Sequence, residues 1–312
     1  MFADDGSQSK GFFVDNDNSG TRFRMKGKKE VNANLEGGFL IELGYGSNPS
    51  SAVNFDNRSI SADLAERHMD LYLAGSFGKA SLGQGNGAAN GGMEEDLSGT
   101  GLVSYSGMSD VGGGIAFGNG GPAIGSTIGN LDFESRYDRL RYDTPALGPV
   151  KLAVSIGTKS GNDVYELAAR PSMKMGGGEL AAALGYSVEK KGGVAGDEQT
   201  TGFSVSYLMN SGLNATLAYA NRGDDTPGAE DSKFTYFKLG YKTGVHAVSF
   251  DYGLGNDFDQ KDDDSSAYGI SYVYTAAKWM ELFAGAKVHT LDRSGADFDD
   301  VTIAMAGTRI KF

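Results

Sequence analysis

A two-residue period of apolar and polar side chains runs through this chain almost from end to end, and it constrains the fold more than any other feature. In the stretch TRFRMKG, Phe23 and Met25 share one side while Arg22, Arg24 and Lys26 share the other, as in a strand whose successive side chains point to opposite faces. The pattern returns in RHMDLYLAG, where Met69, Leu71 and Leu73 alternate with His68, Asp70 and Tyr72. It returns again in YDRLRYD, where Leu140 and Tyr142 alternate with Arg139, Arg141 and Asp143. Farther along, Phe203, Val205 and Tyr207 alternate with serines, Phe237, Leu239 and Tyr241 flank Lys238, and Val248, Phe250 and Tyr252 flank Ser249 and Asp251. Tyr268, Ile270, Tyr272 and Tyr274 close the series. Charges in mid-strand on one face and a nearly unbroken apolar face on the other do not describe the buried strands of a soluble sandwich.

The connections alternate as well. Tight turns such as ALGP at 146–149, NSG at 210–212 and KTG at 242–244 take turns with longer acidic loops, NRGDDTPGAEDS and NDFDQKDDDSS. Short turns at one end and long loops at the other are the hairpin arithmetic of an outer-membrane barrel, which hides from hydropathy because lipid-facing and lumen-facing residues alternate. About fifteen strand candidates follow Thr21, and the stub MFADD supplies part of one more, giving the even number of about sixteen that closes an antiparallel sheet without an edge. The fold class expected is therefore all-β, a transmembrane antiparallel barrel of about sixteen strands in a single domain, 1–312, with no linker and no change of period.

Composition sharpens the exclusions. With 48 Gly, 6 Pro and 11% aromatic residues in 312, the chain is too rich in glycine and aromatics for a helical protein. It has no cysteine, which removes disulfides, thiolate metal sites and a cysteine nucleophile together. A net charge of −12 argues against nucleic acid as a partner, since phosphate binding needs a basic face. No apolar run approaches the roughly 18 residues of a membrane helix, and no signal peptide follows Met1. The three histidines, in HMD, HAV and HTL, have no serine placed to serve as nucleophile, so no catalytic residues are assigned.

Two stretches stand apart. DNDNSG, Asp15 to Gly20, opens like a calcium loop of the EF-hand type, but the twelfth position from Asp15, where a bidentate glutamate is needed, is Lys26; a polar turn entering a strand is the better reading, and no metal site or cofactor is assigned. The second is a connection of about fifty residues, 85–135, far longer than a normal loop and glycine-rich, carrying Glu94, Glu95, Asp96 and Asp110.

Taken together, VDNDNSGTRFRMKG, NLEGGFLIEL, HMDLYLAGSFGKASLGQG, EEDLSGTGLVSYSG, RLRYDTPALGPVKLAVSIG and the terminal TRIKF resemble the trimeric general porins of Gram-negative bacteria, in particular the sixteen-stranded proteobacterial kind, over nearly the whole chain. The resemblance implies that segment 85–135 is the third external loop, folded into the barrel as a constriction. Its acids, Glu94, Glu95, Asp96 and Asp110, would then face a basic ladder, Arg22, Arg24, Lys26, Arg139 and Arg141, across the pore. His68 stands where related porins often carry arginine, a rung that would depend on pH. Each basic residue has a plainer role open to it, solvated or paired on the wall with Glu42 or Asp70.

By this resemblance the protein is a passive diffusion channel of the bacterial outer membrane for small hydrophilic solutes and ions, a homotrimer bordered by lipid and lipopolysaccharide. Two departures qualify it. The chain starts at MFADDG, the tail of a first strand, so that strand is incomplete or the barrel closes differently. Ala304, Ala306 and Thr308 make the last strand's outer face small, which suits a subunit contact. Trp279 and Tyr241 beside short turns fit an interfacial girdle. The alternatives are a solute-specific channel, for which Tyr72 and Tyr236 are the inward aromatics, and a calcium-binding adhesin.

Overall fold

Residues 1–192, 196–226, 228 and 230–312 are described by the structure, a computed structural model; Pro227 and Ala229, within the acidic loop that follows Asn221, lie outside them. Two three-residue strands, β1 (Phe2–Asp4) and β2 (Ser9–Gly11), precede fifteen long ones. These are β3 (Arg22–Asn32), β4 (Leu35–Gly46), β5 (Asp63–Gly75), β6 (Gly78–Asn86), β7 (Arg136–Asp143), β8 (Val150–Lys159), β9 (Asn162–Met175) and β10 (Gly178–Lys190). The series continues with β11 (Glu198–Met209), β12 (Leu213–Asp224), β13 (Ser232–Thr243), β14 (His246–Asn256), β15 (Asp264–Ala277), β16 (Met280–Asp292) and β17 (Val301–Ile310). From β3 to β17 each strand pairs antiparallel with the next, and β1 continues the sheet from β17 through Phe2 opposite Ala304 and Asp4 opposite Thr302. The antiparallel barrel expected from the period is the fold.

The period of two is realised as an outside and an inside. Leu140, Ile156, Leu167, Leu184 and Ile270 point outward and are 49–64% exposed, whereas Arg139, Ser155, Glu166, Ala183 and Ser271 on the same strands point inward and are buried. A continuous belt of bare aliphatic and aromatic side chains is stable only against hydrocarbon.

What buries the inward face is the chain itself. Residues 87–135, between β6 and β7, turn into the barrel and cover the inner wall from β9 to β17. The wall makes room with small residues. A β-carbon on Gly185 would lie 2.4 Å from the Phe133 ring, one on Gly202 2.7 Å from the Met93 sulfur, and one on Gly253 2.6 Å from the end of Met108. Ala168, Ala218, Ala220 and Ala267 complete this floor, on which Ile115, Phe117, Ile124 and Ile128 of the loop pack with Phe12, Val53 and Phe55 from nearer the N-terminus. The barrel thus contains a hydrophobic core over one half of its inner surface.

Filling a socket should displace the loop. Gly185→Val is expected to cost about 1–3 kcal/mol through overpacking against Phe133. A fall in the temperature at which the folded barrel converts to its unfolded form on a denaturing gel measures it, and an unchanged temperature would refute the socket.

Candidate functional site

The half of the inner wall that the loop leaves free is basic. Glu42 on β4 is 1% exposed and takes Arg24 of β3 at 2.6 Å through its Nε and Arg67 of β5 at 2.7 Å, with Arg22 at 3.8 Å. One buried carboxylate thereby gathers three guanidinium groups that themselves stay partly exposed to solvent. Arg136, where the loop re-enters β7, lies within the electrostatic reach of Arg67, Glu42, Arg22 and Glu94. Its Nε is buried without a hydrogen-bond partner among the described residues.

Arg67 is absent from the basic ladder read in the sequence, and the reason is a one-residue irregularity. Glu42 opposes His68 and Leu43 opposes Glu66, so Arg67 is the extra residue of a β-bulge. Strict alternation would place it outside with Met69; the bulge turns it onto Glu42. Arg136 is the first residue of β7, opposite Asn86 in unbroken register and directly after Ser135 at φ +60°, so it belongs to no alternating run that the sequence displays on its N-terminal side.

The other members of the ladder are arranged differently. Arg139 is 5% exposed and donates to Asp70 at 2.5 Å and to the carbonyls of Gly83 and Asn86, with His68 Nδ1 3.9 Å from the same carboxylate. Arg141 binds Asp143 at 2.7 Å and the Gly87 carbonyl at 2.7 Å, fixing the root of the loop. Lys26 is exposed and has no ion pair among the described residues. Tyr72 donates to Glu36 and lies under Lys79, whereas Tyr236 is 1% exposed, so the inward aromatic path of a solute-specific channel is interrupted beneath the loop.

On the loop, the four acids have different surroundings. Glu94 accepts from Asn130 at 3.4 Å and neighbours Tyr105, Asp110 and Asp132. Burial, then the charges of Glu94 and Asp17, push Asp110 up to about 7, with Lys287 opposing. Burial and Glu94 likewise push Asp132 up to about 7, although the Gly91 and Met93 amides and Arg170 favour its charged form. Burial raises Glu95, partly offset by Arg170 at 3.4 Å. Asp96 does not face the arginines: its carboxylate lies 2.8 Å from Lys238, which outweighs burial and holds it below the usual range.

The DNDNSG turn spends its oxygens on the chain. Asp15 accepts from the amide and hydroxyl of Thr21, Asn16 caps a short 3-10 turn over Asp17–Ser19, and Asp17 accepts from Ser51. A carboxylate triad, Glu134, Glu189 and Glu198, has metal-like spacing, but Lys159, Arg222 and Lys191 lie against it and neutralise the charge a cation would need.

Comparison with known proteins agrees with this architecture. A family model described as Gram-negative porin matches residues 3–294. Among solved structures, the anion-selective porin from Comamonas acidovorans superposes with a TM-score of 0.66 at 18% identity, covering 100% of this chain and 96% of that one. The trimer form of OmpT, an outer membrane protein of Vibrio cholerae, gives 0.61 at 15% identity over 99% and 95%. OmpF of Salmonella typhi gives 0.57 at 13% over 92% and 89%. No curated protein sequence matches.

The pH dependence follows from Asp110 and Asp132. An acid is neutral below its pKa, so between pH 8 and pH 6 the loop sheds up to two negative charges while the arginines keep theirs. The reversal potential in a salt gradient should move toward anion preference over that interval, and Glu94→Gln should move the transition to lower pH. A flat reversal potential would contradict the assignment.

Proposed function

From the membership of this chain in the Gram-negative porin family, which makes it an outer-membrane channel for small solutes rather than an enzyme, we propose that the constriction loop and the arginine cluster form its selectivity zone. The observation that carries this reading is the gathering of Arg22, Arg24 and Arg67 on Glu42, with Arg136 in reach of both that group and Glu94 of the loop. Opposed fixed charges in a narrow, water-filled passage act on a solute by size and by a transverse field that turns its dipole. Hydrophilic solutes and ions pass by diffusion, and no step of chemistry is required.

The assembly belongs to the same proposal. Small outward residues, Ala304, Ala306 and Thr308 of β17 beside Ala284 and Ala286 of β16, allow close approach of a neighbouring subunit. They support a homotrimer, with lipid and lipopolysaccharide around the remaining belt. Native mass spectrometry in detergent reads the subunit number directly, and a stable monomer would remove this part.

Conductance in a planar bilayer with a salt gradient tests the channel. Large ohmic steps are expected; a folded barrel that does not conduct would overturn the reading. Arg67→Ala should shift the reversal potential toward cations without loss of the barrel. Arg139→Ala should instead leave selectivity nearly unchanged while removing the main partner of half-buried Asp70, a loss of about 1–3 kcal/mol seen as lower thermal stability.

A further inference from the structure

Lys238 of β13 has a side chain that is 0% exposed, an unusual place for an ammonium group on the inner wall of a water-filled barrel. All of its neighbours that accept hydrogen bonds come from one stretch of the loop. Its Nζ lies 2.8 Å from Asp96 Oδ2, 3.1 Å from Ser98 Oγ, 3.3 Å from Thr100 Oγ1 and 2.6 Å from the carbonyl oxygen of Ser104. Three donors are thus shared over four loop oxygens, leaving the ammonium no need of water.

The contact extends along the wall. Thr100 Oγ1 is 2.8 Å from Ser249 Oγ on β14, which is 2.8 Å from Ser271 Oγ on β15. Ser104 donates to Asp251, the cross-strand neighbour of Lys238, and Lys287 of β16 holds the other oxygen of that carboxylate at 3.1 Å. Between these polar points Leu102 and Val103 pack on Val273, Phe283 and Met305. From the opposite side, Asn16 of the DNDNSG turn donates to the Leu102 carbonyl at 2.8 Å.

Resting on the porin reading above, we infer that Lys238 is the positioning residue that sets the calibre of the pore. It holds residues 96–104 against β13 to β15, and with Arg170 and Ser204, which hold the Glu95 carboxylate and amide, it keeps Glu94 and Glu95 at a fixed stand-off from the arginine cluster. Leaving the wall would strand a buried charge on each side, so the loop does not swing. Arg170 of β9 makes a comparable grip earlier in the loop, on the carbonyls of Ala89, Asn90 and Gly91 and on Glu95; Lys238 is the cation that fastens the stretch following the acids.

The test compares Lys238→Met and Asp96→Asn with the unmodified protein as folded assemblies in a planar bilayer, with sugar exclusion read by liposome swelling. Either change should raise conductance by up to about twofold, increase open-channel current noise and admit larger sugars. Because the chain has no cysteine, a Thr100→Cys, Ser249→Cys pair added to Lys238→Met can reattach the loop by a disulfide, and oxidation should return conductance and noise to the original values. Should Lys238→Met fail to fold, Asp96→Asn gives the same reading. Folded variants with the conductance, noise and exclusion of the unmodified protein would overturn the clamp, whereas an unmodified protein that never conducts would overturn the porin reading itself.

Discussion

Hydrocarbon offers no partner to a backbone N–H or C=O, and the rest of this structure depends on that constraint. A chain that crosses a bilayer with strands must pair its backbone polar groups with neighbouring strands, so the long strands run as one antiparallel ladder, each joined to the next. Once the ladder is fixed, each strand has one lipid side and one inner side, and the two-residue period follows. The modest mean hydropathy is a consequence of an inner face that can carry charge at no cost to membrane insertion, and the long loops between strands carry acidic runs.

The inner face is itself divided. From β9 to β17 it is tiled with glycine, alanine and serine, and the loop fills the space they leave; from β3 to β7 it carries the arginines and their organising acids. The division is energetic as well as geometric. On the tiled side, apolar contact and neutral hydrogen bonds hold the loop, with Lys238, Glu166 and Arg170 as charged fastenings. On the basic side, Glu42 is surrounded by more positive charge than it can neutralise, and the excess stays on partly exposed guanidinium groups.

The fold was largely legible in the sequence because period two is a local property. Phe23 outside and Arg24 inside could be assigned from neighbours alone, and so could Lys238 as inward. What the period could not supply was anything that breaks it. Arg67 turns onto Glu42 through a bulge, and so fell on the wrong side of a strict alternation, while Arg136 opens its strand just after a left-handed residue, where no period precedes it. Contacts between distant parts of the chain were equally hidden. Asp96 reads as one more loop acid until Lys238, far along the sequence, is found against it, and Gly185 reads as a weak point in a strand until the ring of Phe133 occupies its place. The DNDNSG turn read correctly as a turn, yet its grip on the Leu102 carbonyl was not visible from its own residues.

A barrel filled along one side has an eccentric bore. In the passage proposed above, the water column would run beside β3 to β7 rather than along the barrel axis, and a solute would travel in contact with a single curved wall and a single face of the loop. Its passage resembles movement through a slot more than through a tube. In a slot, rotation about the direction of travel is hindered as well as width, and an elongated molecule that fits by diameter must also arrive with its broad face aligned.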